Sequence, residues 1–238
     1  MNIILFIHLD AENSLPLLDY RSLHIRKILK LGVGGQFLAG EINGVKGLAT
    51  ILSLDADSLH FSFEAGPSSQ PLYPVTLMVA QVRPICMRRI LREAVSLGVA
   101  KIILTGTDTT EKSYANAKLY TEGEYRSILL DGAMQSGETA VSEVEFALSV
   151  EEAIILTKAA GTRIVLDSVM EAKPLSSFSS PTKPVVLAIG GERGFTERER
   201  SLFLFSGFLP ASLGSRILRT ETASSAGLAV LLGRMNLL

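Results

Sequence analysis

From residue 75 onward the chain alternates short, continuous apolar runs with segments of helical period, and this alternation limits the possible folds more than any other feature. Val75 to Ala80, Ala100 to Leu104, Arg163 to Leu166 and Val185 to Ile189 have the length and composition of buried strands. Between the first two, Met87, Ile90, Leu91, Ala94 and Val95 recur at helical spacing until Gly98 supplies a stop. A long helical stretch is expected from about Lys118 to Ser136, then a short strand near Val144 to Ala147. Ser149 with Glu152 predicts a capping box for a helix running to about Ala160 and ended by Gly161, and Thr196 with Glu199 predicts another. Buried strands alternating with helices imply a parallel sheet covered on both faces, an α/β domain.

The first seventy residues have a different texture. Alternating segments at Gln36 to Ala39 and Val45 to Leu52 flank Asn43-Gly44, a dipeptide that readily takes the left-handed angles of a tight hairpin, so a small β-barrel is expected. Among its strands lies YRSLHIRKILKLG, read as one short helix on which Arg21, Arg26, Lys27 and Lys30 accompany Leu23, Ile28 and Leu31. Two readings of that basic run stand: a solvated helical face, or an edge that contacts phosphate. The segment GPSSQPLYP, residues 66 to 74, carries three prolines and a glycine and marks a boundary. The expected domains are therefore residues 1–70 and 71–238.

Charge and cysteine usage narrow the functional classes. Lys plus Arg number 23 against 24 for Asp plus Glu, and a net charge of -1 excludes a protein that grips nucleic acid through bulk charge. DNA is not an expected partner, whereas a local basic face for RNA remains open. The single cysteine, Cys86, excludes an internal disulfide framework and a thiolate zinc site, and fits a reducing compartment. His8, His24 and His60 show no ligand spacing, so no metal is expected. No apolar run approaches a membrane span, and the start MNIILFIHLD has no basic leader. The expectation is a soluble, cytoplasmic protein without a membrane partner.

Open parallel sheets bind ligands beyond the carboxyl ends of their strands, which directs attention to the residues after Leu166, Ile189 and Leu209. After VVLAI comes GGERGF, with Gly190, Gly191 and Gly194 leading to the helix capped at Thr196. Glycines there let backbone approach a ligand, or simply make a tight turn. The spacing is neither G-x-G-x-x-G nor that of a phosphate loop. Farther on, Ala223, Ala226, Gly227, Val230 and Leu231 form a stripe that must pack, and Arg216, Arg219, Thr220, Glu221 and Thr222 crowd polar groups at the entry to that helix. They serve either as capping groups or in chemistry. Cys86 reads as a small residue at a helix margin more readily than as a reactive thiol, and Tyr114, Tyr120 and Tyr125 either stack on bases or pack the long helix.

At these segments the sequence resembles the RsmE-type methyltransferases of the SPOUT superfamily, which act on a uridine of small-subunit ribosomal RNA. The family motif L-G-x-R-[IV]-L-R-x-E-T-A is intact from Leu213 to Ala223, and the loop G-P-E-G-G-[FLW] appears as GGERGF. RILREAVSLGVAKIIL and LHIRKILKLGVGGQF also match in sequence order, so the resemblance covers nearly the whole chain. It implies a trefoil-knotted parallel-sheet domain preceded by a PUA-like barrel, S-adenosylmethionine as methyl donor, and a homodimer with ribosomal RNA as partner, free or within an assembled particle. Carried over by position, Leu166, Ile189, Gly190, Gly194, Leu213, Gly214 and Leu218 would line the cofactor pocket. Arg219, Glu221 and Thr222 would lie nearest the transferred methyl, Arg219 as electrostatic stabiliser with Glu221 orienting it. Arg21, Arg26, Lys27, Gln135 and Ser136 would contact RNA.

The departures from the family pattern cluster. Expected glutamates become Arg88 and Ser96, an expected lysine becomes Glu93, and E-Q-S-x-R appears as Met134, Gln135, Ser136, Gly137 and Glu138. Gly191 and Arg193 replace a proline and a glycine, and Asp167-Ser168 stands where His-Pro is common. Either Arg88 pairs with Glu93 or Glu138 in a compensating swap, or the target has changed. The expected function is an S-adenosylmethionine-dependent RNA methyltransferase acting at N3 of a small-subunit uridine. Its rivals are a knotted ribosome-assembly protein without turnover and a small-molecule enzyme using GGERGF for another nucleotide.

Overall fold

The computed structural model describes residues 2–238. The chain forms two compact units, Met1–Pro71 with Ala133–Val141, and Leu72–Gly132 with Ser142–Leu238. None of the described helices is long and apolar enough to cross a membrane.

The first unit holds β1 (Ile4–Phe6), β2 (Glu12–Pro16), α1 (Tyr20–Leu23), β3 (Gln36–Glu41), β4 (Val45–Leu54) and β5 (Ser58–Ser68). The strands make a five-stranded sheet in the order β1-β3-β4-β5-β2, parallel between β1 and β3 and antiparallel elsewhere. Every strand sends side chains into one core, among them Ile4, Leu15, Phe37, Ile51 and Phe61, and Ile25 closes it from the helical segment. A sheet whose strands all share one inner core is curled about it, as a small barrel requires. The hairpin at Asn43-Gly44 forms with Asn43 at φ 59, and Gly40 pairs with Lys46 across it. The basic helix is shorter than expected: α1 passes into a π-turn at His24–Ile28 and stops at Lys30, whose φ is 55.

The second unit contains β6 (Tyr73–Ala80), α2 (Pro84–Ser96), β7 (Val99–Thr105), α3 (Lys118–Thr121), the part of α4 (Tyr125–Ser136) up to Gly132, β8 (Glu143–Ala147), α5 (Val150–Leu156), β9 (Thr162–Leu166), β10 (Lys173–Pro174), β11 (Val185–Ile189), α6 (Glu197–Phe205), β12 (Leu209–Ser212) and α7 (Thr220–Arg234). Its sheet is all parallel, ordered β10-β12-β9-β11-β6-β7-β8. β6 and β11 pair without offset from Val75↔Val185 to Val79↔Ile189, and these central strands are buried on both faces. On one face Phe203 makes edge-on contacts with Phe195 and Phe208, at centroid distances of 4.7 and 4.9 Å. Such pairs add about 1 kcal/mol each beyond burial.

Three local expectations are corrected. The stretch 118–136 is two helices, because Gly123 sits at φ +72 and breaks the period between α3 and α4. The helix after Ser149 ends at Leu156, and the Glu152 carboxylate accepts from Leu148 N–H at 2.8 Å rather than closing a reciprocal box with Ser149. The box at Thr196 and Glu199 is complete.

The connection from β9 to β11 carries the feature most relevant to a knot. It leaves at Asp167, places β10 on the far side of β12, packs its turn Leu175–Ser177 on α7, and returns at Pro184. Arg234 Nε on α7 donates to the Phe178 carbonyl at 2.7 Å. The last strand and helix of the chain are thus seated against a loop from earlier in the sequence.

Candidate active site

Two cavities lie side by side beyond the carboxyl ends of the parallel strands, where such sheets bind ligands. The first, about 310 Å³, spans the ends of β9, β11 and β12. Leu166, Ile189, Gly190, Gly194, Leu213, Gly214 and Leu218 all line it. The glycine loop after β11 folds on itself through a Gly194 N–H to Gly191 carbonyl bond of 3.0 Å. A Cβ at Gly190 would come within 3.1 Å of the Gly194 backbone, and Gly194 and Gly214 hold φ of +66 and +104. The loop is therefore built for backbone, not side chains, to face the space.

α7 locks this wall in place. Thr220 Oγ1 donates to the Gly190 carbonyl at 3.3 Å, and a Cβ at Gly227 would come 2.7 Å from a methyl of Leu166. The small residues of α7 therefore permit close approach to β9 and β11, as the packing stripe in the sequence suggests. Asp167, at the end of β9, is 3% exposed at its side chain and pairs with Arg200 Nε at 2.9 Å. Its other oxygen accepts from Val169 and Met170 N–H. Arg200 also lines the cavity.

The second cavity, about 640 Å³, spans the ends of β11, β6 and β7. It shares Gly191 to Arg193 and Ile217, Leu218 and Thr220 with the first, so one wall serves both. Its own lining is side-chain chemistry: Gln81, Arg83, Cys86, Thr107, Tyr114, Arg219 and Glu221. Arg219 is the amino-terminal cap of α7 and is exposed, its guanidinium without a hydrogen-bond or ion-pair partner among the described residues. Glu221 does not orient it. One residue into the helix beyond Thr220, its carboxylate instead accepts from the Cys86 thiol at 3.7 Å, because residues two apart point in different directions on a helix. Burial, then Glu221, pushes the Cys86 thiol up, which keeps it neutral and unreactive at pH 7. Thr222 lies on the exposed side of α7 and lines neither cavity.

The loop after β7 is tied to α6 and the glycine loop. Glu199, fully buried, accepts from Asp108 and Thr196 N–H, both at 2.8 Å, and Thr109 Oγ1 donates to the Gly194 carbonyl at 3.3 Å. Hydrogen bonds from Arg198 and Thr196 hold the Asp108 carboxyl below the usual carboxylate range. Tyr114 lies in the cavity wall, its hydroxyl donating to Glu192 at 3.2 Å, whereas Tyr120 and Tyr125 pack edge-on against Phe146.

The residues carried over for RNA contact all belong to the first unit. Arg21 pairs with Asp19 at 2.7 Å over the Phe6 ring, and Arg26 donates to the Leu17 carbonyl at 2.5 Å, while Lys27 is exposed. Asn2 donates to the Gln135 carbonyl, and Ser136 Oγ donates to the Ala133 carbonyl. The substituted positions find partners, but not the expected ones. Arg88 pairs with Glu124, Glu93 accepts from Ser225, Ser96 donates to the Gly132 carbonyl, and Glu138 pairs with Lys46 at 2.6 Å. Sequence reasoning missed Gln81, the threonines at 107, 109 and 110, and Glu192. The rule applied to β9, β11 and β12, applied also to the ends of β6 and β7, reaches the first two groups.

A parallel sheet with paired cavities at this end defines a class, and comparison agrees with it: a family model described as an RNA methyltransferase domain matches residues 68–232. Ribosomal RNA small subunit methyltransferase E of Treponema pallidum is 36% identical over 98% of this chain and 91% of the relative. Ribosomal RNA small subunit methyltransferase E 1 of Borreliella burgdorferi is 33% identical over 95% of each. The chain belongs to this ribosomal RNA small subunit methyltransferase E family. Its fold is also that of the Neisseria gonorrhoeae methyltransferase E crystallised with S-adenosyl methionine, at a TM-score of 0.81 and 22% identity over 98% of this chain and 97% of that one.

Proposed function

We propose that the protein is an S-adenosylmethionine-dependent methyltransferase that modifies N3 of a uridine in small-subunit ribosomal RNA. The observation that carries this reading is the shared wall: one cavity bounded by the glycine loop, one lined by polar side chains that include the unpaired Arg219 guanidinium, meeting at Gly191–Arg193 and at Ile217, Leu218 and Thr220. The first is at the lower end of the size range for small-molecule sites and has the close backbone approach that a bent nucleoside needs. Leu166, Ile189, Gly190, Gly194, Leu213, Gly214 and Leu218 would hold S-adenosylmethionine there, which supplies an activated methyl group when bound.

The remaining work is alignment of the acceptor nitrogen and removal of its proton. As uracil N3 loses its proton, negative charge spreads to the flanking carbonyl oxygens, and the unpaired guanidinium of Arg219 is placed to receive it. The same reading makes the working unit a homodimer whose tail threads the β9–β11 connection. Ile217, which lines both cavities, and Ile85, next to Cys86, are exposed apolar side chains that such a pairing would cover. The first unit would help hold RNA, and the work would be done in the cytoplasm.

Two measurements test this. Titration calorimetry with S-adenosylhomocysteine should show saturable binding to the purified protein. Nucleoside mass spectrometry of small-subunit RNA from a deletion strain should lack 3-methyluridine, which the restored gene returns. An unchanged nucleoside profile in the deletion strain overturns the activity.

A further inference from the structure

Gln81 immediately follows β6, and its backbone N–H is pinned to the Thr105 carbonyl at the end of β7 at 2.8 Å. The residue is only 9% exposed, yet its carboxamide has no hydrogen-bond partner among the described residues. Its amide atoms are not fully buried, so the small surface they keep is within reach of a group that enters the cavity. What remains of its surface opens on the second cavity, which also holds Arg219, Glu221 and Tyr114. We infer that Gln81 is a specificity-determining residue whose carboxamide hydrogen-bonds the carbonyl edge of the acceptor base. This rests on the proposed methyl transfer and names what reads its substrate.

The chemistry suits a uracil edge. The groups flanking N3 are both carbonyls, and the Gln81 amide N–H is a donor that neither a carboxylate nor an apolar side chain can replace. Such a bond strengthens as charge moves onto the oxygen, so it assists loss of the N3 proton as well as choice of base. A purely structural role predicts something different. A side chain without a protein partner contributes no internal hydrogen bond, so replacing it by methionine of similar size leaves the fold as stable or more so.

The test uses the full-length protein, unmodified small ribosomal subunits and tritiated S-adenosylmethionine, with Gln81→Met and Gln81→Glu. For Gln81→Met we expect kcat/KM to fall about ten- to a hundredfold, its rise with pH to move to higher pH, and the unfolding midpoint to hold or increase. S-adenosylhomocysteine binding should stay within twofold. Gln81→Glu, an acceptor facing acceptors, should be slower than Gln81→Met. A Gln81→Met protein that keeps kcat/KM within twofold and an unmoved pH profile overturns the inference and leaves the proposed function standing. A drop in kcat/KM matched by lost stability or lost S-adenosylhomocysteine binding also overturns it. A wild-type protein that binds no S-adenosylhomocysteine overturns the function and the inference with it.

Discussion

The two cavities share a wall but are made by opposite means. The first is shaped largely by backbone: glycines at 190, 191 and 194, a helix drawn close at Gly227, and the already satisfied Asp167–Arg200 pair, with Arg193 and Arg216 also in its lining. The second is lined by polar side chains, most of them paired with one another but two, the Arg219 guanidinium and the Gln81 carboxamide, without a protein partner among the described residues. Shape built from backbone holds one ligand in one pose, whereas unpaired polar groups are held ready for a partner that arrives. The difference separates cofactor retention from turnover, and each variant below should move one without the other.

The largest effect should come from Arg219→Ala. Removing a charge-stabilising donor from an active site costs roughly a hundred- to a thousandfold in kcat. Because Arg219 lines only the second cavity, S-adenosylhomocysteine affinity should remain within threefold. Equal losses of binding and turnover would erase the distinction between the cavities.

Asp167→Ala tests the satisfied pair. It strands the Arg200 guanidinium and two loop N–H groups, and breaking a buried pair costs about 3 kcal/mol. Urea unfolding should show that loss in the midpoint with an unchanged slope. A loss under 1 kcal/mol would mean that solvent already carries the pair. Gly190→Val acts next, since its side chain would press on the Gly194 backbone. S-adenosylhomocysteine affinity should fall about tenfold, or 1.4 kcal/mol, and an affinity within twofold of wild type would show that the loop yields.

The same contrast decides what the sequence made legible. The strands of the parallel sheet and the hairpin at Asn43-Gly44 could be read because burial and turn chemistry repeat over several residues. The first cavity could be read because its glycines and the Leu213–Ala223 segment form contiguous motifs. Gln81 and Thr107 stand out less, since each is a single polar residue after an apolar strand: the strand-end rule reaches them, but only sheet order, which sets β11, β6 and β7 side by side, brings them to one cavity. Gly123 was passed over because the apolar spacing on either side of it suits one continuous helix. Ala133–Val141 joins the first unit through pairs such as Asn43 N–H to the Thr139 carbonyl, a long-range match with no local signature.

The substituted charges give the smallest prediction and sharpen the comparison from outside the cavities. Glu138 is a satisfied group: although burial pushes its carboxyl up, hydrogen bonds from Lys46 and Ser69 together outweigh that and hold it below the usual carboxylate range. A depressed folded value means that the native state binds the proton less readily than the unfolded chain. The stabilisation is therefore present above the ordinary carboxylate value of 4.5 and is lost as pH falls through the folded value. Glu138→Gln should lower the urea midpoint modestly at pH 7, and the gap to wild type should close as pH falls below 4.5 and through the lowered folded value. A gap that persists in acid would show that Glu138 acts through shape, not charge. A gap absent at neutral pH would return Glu138 to the free groups, alongside Arg219, as one awaiting a partner outside the chain.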